Sequence, residues 1–211
     1  WEQDVFGCQP ALLFCKDMPW AVVSELMHMG YAAYYPMIVF VVVYYFLFRY
    51  KEFERASFVV LTAFFIYYLI FIFLPVAGPT FYYKAVGISK ITQGIFPNVY
   101  DYFNYYQDCL TTPGYQNGLF YHLVESAKAA GERPTAAFPS SHVGISTVLM
   151  LLVWRTGNRR MFYILLPFYF FLCLSTVYIQ AHYAIDVVAG LVSGVALYYG
   201  LMAVSKGMVS K

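Results

Sequence analysis

A chain of 211 residues with 61% hydrophobic, 21% aromatic and 11% charged residues does not carry the surface of a soluble domain. About 25% charged residues is usual, so roughly half the charge needed to cover a water-facing exterior is present. A net charge of +2, with no dense cationic cluster, also excludes a disordered chain and a nucleic-acid-binding one.

Residues 1–19, with Cys8, Pro10, Cys15 and Pro19, read as a loop that skims a membrane interface. Five stretches then reach or approach the ~20 residues that a helix needs to cross a ~30 Å hydrocarbon layer. They are residues 31–48, 57–76, 134–154, 161–179 and 187–204, and none contains Lys, Arg, Asp or Glu. Their length and lack of alternation predict helices rather than barrel strands. Residues 79–138, between the second and third spans, are too many for an idle connector. This segment holds a turn at Thr111-Thr112-Pro113-Gly114 and an aromatic, interfacial run from Tyr100 to Tyr106. Apolar positions at helical spacing predict a short helix over residues 119–130. Gly190 and Gly194, four apart in the last span, have the spacing of a helix-packing face.

Cationic residues set the orientation, because short cytoplasmic loops retain positive charge. Arg49, Lys51 and Arg55, then Arg155, Arg159 and Arg160, then Lys206 and Lys211 fall on one side if the spans alternate. That side is taken as inner. Residues 1–19, the 79–138 loop and the Gln180-Ala181-His182 turn fall on the outer side. The chain opens on Trp1 with no signal-peptide pattern, so a sixth, N-terminal span preceding residue 1 is expected. Cys8, Cys15 and Cys109 share the outer side, where a bridge from Cys8 to Cys15 or Cys109 is permitted. Cys173 reads as packing, and no spacing suits structural zinc.

Ionisable residues at membrane edges are functional candidates, and they gather in two segments. The first is Ala137-Phe138-Pro139-Ser140-Ser141-His142 and the second runs from Ser175 to Asp186. His182 and Asp186 are four apart, which on a helix puts them on one face. A carboxylate there holds one ring nitrogen and leaves the other as nucleophile or base. Pro139, Ser140 and Ser141 before His142 suit a helix start, whose free N–H groups favour an anion. Together the segments describe a phosphate site with two histidines, one to attack and one to protonate a leaving group. Glu25 and His28 read as interfacial polar packing.

Pro-Ser-Ser-His and Ser-x6-His-Tyr-x2-Asp resemble the second and third motifs of the type 2 phosphatidic acid phosphatase superfamily, from span two to the end of the chain. The resemblance implies that His182 attacks phosphorus to give a phosphohistidine, that Asp186 orients it, and that His142 protonates the departing oxygen. It implies also that Ser140, with Ser141 and nearby amides, holds phosphate, and that no metal or other cofactor is needed. The family's first motif, Lys-x6-Arg-Pro, is absent: Lys128 stands five residues before Arg133-Pro134, and Thr176 stands where the third motif has Arg. Arg133 is the first candidate to supply the missing charge, with Lys128 or Lys84 behind it, and Gly78-Pro79-Thr80 is a candidate for the place of the first motif. The strings around His142 and His182 are also similar to inositol phosphorylceramide synthase, and sphingomyelin synthase shares the His-Tyr-x-x-Asp pattern.

The expected fold is an all-α polytopic membrane bundle: one membrane-embedded catalytic domain over residues 1–211, with outer loops 1–19 and 79–138 and catalytic-motif helices over 139–206. The expected function is a lipid phosphate phosphatase, with phosphatidic acid, phosphatidylglycerol phosphate, an isoprenyl diphosphate or a lipid A phosphate as donor. The alternatives are a headgroup phosphotransferase of the synthase type and a catalytically inactive scaffold or transporter. The expected partners are a phosphorylated lipid and membrane lipids. The expected setting is a bacterial inner membrane, with the site facing the periplasm or exterior.

Overall fold

The computed structural model describes residues 2–131 and 133–207, and Lys211 of the basic tail lies outside them. Among the described residues the fold is all-α. Its helices are α1 Glu2–Phe6, α2 Pro10–Asp17, α3 Ala21–Ala32, α4 Tyr34–Phe48, α5 Tyr50–Phe73, α6 Pro79–Val86, α7 Ile88–Thr92, α8 Tyr102–Tyr105, α9 Leu119–Gly131, α10 Ser141–Arg155, α11 Arg159–Tyr178 and α12 Ala184–Val204. Helices α5, α11 and α12 are long and apolar enough to cross a membrane, and α3 with α4 form a fourth candidate bent by 44°.

The helix boundaries correct the expected spans, each time for a local reason. The first starts ten residues early, at Ala21 rather than residue 31, and bends at Ala33. Pro36 causes the bend, because its ring cannot donate to the carbonyl of Ala32 and crowds it. The second ends at Phe73, before Pro75, whose ring disfavours helical geometry at Leu74. The third begins at Ser141 rather than residue 134, because Pro134 and Pro139 hold the approach in non-helical geometry. Fifteen residues of helix extend about 22 Å, short of a ~30 Å hydrocarbon layer. Residues 134–140 therefore supply irregular backbone, which a membrane tolerates where protein buries it or a cavity adjoins it. The predicted helix over 119–130 is present as α9.

The two groups of connectors lie at opposite ends of the bundle. At one end Arg49 donates to the Thr156 carbonyl, Arg155 pairs with Glu52 at 3.5 Å, and buried Arg55 donates to the Met202 carbonyl at 2.6 Å and Ser205 Oγ at 3.2 Å. These contacts join the three basic segments of the sequence, apart from the undescribed Lys211. At the other end α9 is fastened to α3 by Glu25, whose carboxylate accepts the N–H groups of Phe120 and Tyr121 at 3.2 and 3.3 Å. His28 donates from Nδ1 to the Ser24 carbonyl at 2.6 Å and is fully buried, so both residues are polar packing. Cys8, Cys15, Cys109 and Cys173 are all free thiols, so the bridge from Cys8 that the outer side would permit is not formed.

Close backbone approach sets the centre of the bundle. A Cβ at Gly190 would lie 2.6 Å from the Ser140 carbonyl oxygen, and one at Gly194 would lie 2.6 Å from that of Gly144. The paired glycines thus let α12 lie directly on the start of α10. A Cβ at Gly144 would in turn overlap the Tyr67 hydroxyl, which bonds Ser193 Oγ at 2.7 Å. Three helices, α5, α10 and α12, are locked in register beneath the Pro-Ser-Ser-His segment.

Candidate active site

His182 does not lie on a helix, as its spacing from Asp186 suggested; it precedes Tyr183, the N-cap of α12. Asp186 occupies the first turn of that helix, and its Oδ2 accepts the Tyr183 N–H at 2.8 Å. The chain thereby folds back so that Asp186 Oδ2 stands 3.7 Å from His182 Nδ1. That distance is too long for a hydrogen bond. The direct partner of Nδ1 is the Ala137 carbonyl oxygen at 2.8 Å. A carbonyl and a carboxylate both accept, so Nδ1 carries the proton and Nε2 keeps its lone pair.

That lone pair meets the second histidine. His182 Nε2 is 3.4 Å from His142 Nδ1. His142 is held between two rings of the first span: Tyr31 stacks at 4.9 Å between centroids, and Tyr34 lies tilted at 4.5 Å. His182 and Asp186 are buried and His142 is half-buried. The backbone around them is cross-braced. The Ser140 N–H donates to the Asp186 carbonyl at 3.0 Å, the His182 N–H to the Thr176 carbonyl at 2.9 Å, and the Ala137 N–H to the Val76 carbonyl at 3.1 Å.

Both histidines face a cavity of about 700 Å³ that is also lined by Ser141, Arg133, Gly78, Tyr34, Tyr35 and Tyr68. This volume is in the range of small-molecule sites. Tyr35, Tyr68 and Ile72 line it too, yet are 63%, 56% and 70% exposed on the outer faces of α4 and α5, where a membrane helix meets lipid. The cavity thus opens sideways between these helices as well as containing the polar cluster.

The predicted phosphate ligands separate. Ser141 and Arg133 line the cavity, and exposed Arg133 is the cation on its wall among the described residues. Ser140 is fully buried and its Oγ accepts the Val143 N–H, so its hydroxyl caps α10 instead of facing the cavity. Lys128 is not brought to the cavity: its Nζ donates to Thr112 Oγ1 at 2.9 Å and the Leu110 carbonyl at 3.3 Å and pairs with Glu125 at 3.6 Å. Lys84 is exposed on α6. Thr176 is fully buried, with its hydroxyl on the Cys173 carbonyl at 3.0 Å, and offers nothing to an anion. Gly78 borders the cavity, and its N–H donates to the Pro134 carbonyl at 3.1 Å, placing the end of span two beside Arg133.

Sequence reasoning missed the Ala137 carbonyl, Tyr31 and Tyr34. A carbonyl is common to every residue, and 22 tyrosines hide two with a special position. Their one available signal is the Tyr31–Tyr34 spacing of three at the head of a span.

Residues 2–200 match the profile of the PAP2 superfamily, and the chain belongs to it. Members of that superfamily are generally phosphatases, and with its long apolar helices this chain is an integral membrane enzyme of that broad kind. No curated protein and no solved structure matches the chain.

Proposed function

We propose that the protein is a lipid phosphate phosphatase working through a phosphohistidine. The observation that carries this reading is the 3.4 Å contact of His182 Nε2 with His142 Nδ1 at the cavity wall, with His182 Nδ1 turned to acceptors. In the first step Nε2 attacks phosphorus, the ester P–O bond breaks, and a proton from His142 goes to the departing oxygen. Asp186, 3.7 Å from Nδ1, offsets the positive charge that the ring acquires. In the second step water forms a P–O bond, the N–P bond breaks, and the water proton returns to His142. Arg133, Ser141 and the N–H groups opening α10 bind the phosphoryl oxygens. No metal takes part in this scheme. The sideways opening between α4 and α5 suits a donor whose acyl or isoprenyl tail stays in the bilayer. The setting that fits the cation distribution is a bacterial inner membrane, with the site on the outward side.

A second reading is favoured by one observation. With Thr176 turned inward and Lys128 engaged elsewhere, Arg133 is the cation at hand, and a single cation suits a singly charged phosphodiester better than a doubly charged monoester. A lipid alcohol would then take the place of water, giving headgroup transfer of the inositol phosphorylceramide synthase type.

One assay tests both. Purified protein receives phosphate-labelled lipid monoester or diester donors, with a lipid alcohol present. Free labelled phosphate is expected, with activity lost in His182→Ala and label trapped on the wild-type protein in acid-labile form. Label on the lipid alcohol without free phosphate overturns hydrolysis in favour of headgroup transfer. Full activity in His182→Ala refutes the nucleophile, and no turnover of any donor leaves a membrane scaffold or transporter.

A further inference from the structure

Helix α12 carries Asp186 in its first turn, and the N–H groups of such a turn have no intrahelical acceptors. Asp186 covers that of Tyr183. Those of Ala184 and Ile185 are both taken by Glu2, at the far end of the chain: one carboxylate oxygen accepts from Ala184 at 3.0 Å and the other from Ile185 at 3.2 Å. Glu2 is 6% exposed, an unusual setting for a carboxylate unless it is well bonded. Burial pushes its carboxyl above the usual range, against the pull of the two N–H groups.

The segment around Glu2 is fastened independently. Gln9 accepts from the buried Tyr83 hydroxyl at 3.0 Å and donates to Gln3 at 3.2 Å. Ala11 and Tyr83 pack in one apolar cluster with Val177, against which Tyr183, Ala184 and Val187 lie. The first turn of α12 is meanwhile the junction of the site. Its Asp186 carbonyl holds the Ser140 N–H, and its Asp186 carboxylate stands beside His182. A shift of this turn would move the nucleophile against His142 and tilt the start of α10.

Resting on the phosphoryl-transfer reading above, we propose that Glu2 is a positioning residue for the His182–Asp186 pair: it pins the first turn of α12 from behind and so holds Asp186 at the His182 ring. It touches neither substrate nor reacting atoms.

The test uses the full chain with Glu2→Ala and Glu2→Gln, measuring turnover of a labelled lipid phosphate together with amide hydrogen exchange over residues 184–186. A misplacement near 1 Å can cost about 10²-fold. Glu2→Ala is therefore expected to lower kcat about tenfold to a hundredfold with KM within about twofold, and to speed exchange at these amides. Glu2→Gln keeps an acceptor oxygen for one of the two N–H groups and is expected to recover part of the lost kcat, leaving it above that of Glu2→Ala. Should Glu2→Ala fail to fold, Glu2→Asp replaces it, since the charge stays but the reach shortens, and kcat should again fall at least about fivefold. Wild-type kcat in Glu2→Ala or Glu2→Asp overturns the proposal, as does unchanged exchange. Equal losses in Glu2→Ala and Glu2→Gln, spread over kcat and KM, overturn it in favour of a purely structural cap. Wild-type protein that turns over no donor refutes the phosphoryl-transfer reading instead. Exchange at the three amides, faster in Glu2→Ala or unchanged, then still sustains or overturns the pinning of the turn.

Discussion

His142 stands between the Tyr31 and Tyr34 rings with one nitrogen on His182, so its orientation is imposed from three directions. The acid role proposed for it predicts a dependence on the leaving group. His142→Ala should lower kcat with a lipid alkyl phosphate about 10²-fold or more, because alkoxide leaves poorly without a proton. With an aryl phosphate of low leaving-group pKa the loss should shrink to about tenfold or less. Equal losses with both substrates would remove His142 as the acid. At this scale His142, His182 and Asp186 were legible from motif spacing. Lys128 was misjudged because its partners, Thr112 and the Leu110 carbonyl, belong to a loop that the fold lays against α9. Ser140 was misjudged more narrowly: its hydroxyl caps the helix that its neighbours present to the cavity.

Helices α10 and α12 meet at backbone distance, which makes the glycines of α12 unequal. Gly194→Ala places a methyl 2.6 Å from the Gly144 carbonyl oxygen, and backbone cannot swing aside as a side chain can. Overpacking of this kind costs about 1–3 kcal/mol. The expected outcome is a fall of several degrees in the thermal midpoint in detergent, together with reduced turnover, because α10 carries His142. Gly200→Ala, on the same helix with open space around it, should leave both unchanged. Similar midpoints for the two variants would contradict the packing. The paired glycines were readable from their spacing, but their partner was not. A four-residue interval marks a face without naming the helix that covers it. The late start of α10 was concealed for a related reason. Residues 134–140 are as free of charge as a span, and two prolines decide that they unwind.

Across the whole molecule the basic connectors gather at one end and the histidines at the other. Cysteine introduced at Tyr105, 76% exposed in the 79–138 segment, and at Lys206, exposed after α12, should react with a membrane-impermeant maleimide from opposite sides of sealed vesicles. With the four native cysteines replaced, labelling of Tyr105→Cys from outside the cell and of Lys206→Cys only after permeabilisation is expected. Labelling of both from one side would reject the two-ended arrangement, and the reverse pattern would turn the site toward the cytoplasm.

Sequence alone determined that the chain is an α-helical membrane protein, that cations and histidines segregate to opposite ends, and that two histidines and an aspartate are the candidates for one site. Each depends on local composition or short spacing: apolar runs partition into hydrocarbon wherever they lie, and a four-residue interval is the same in any fold. Tertiary structure alone decided which nitrogen of His182 is free, since the acceptor at Ala137 lies 45 residues away. It also decided that Arg133 rather than Lys128 borders the cavity, and that Glu2 sits behind Asp186, 182 and 183 residues from the two amides it holds. Hydrogen bonds are short-ranged and directional, so their partners exist only once the helices have packed.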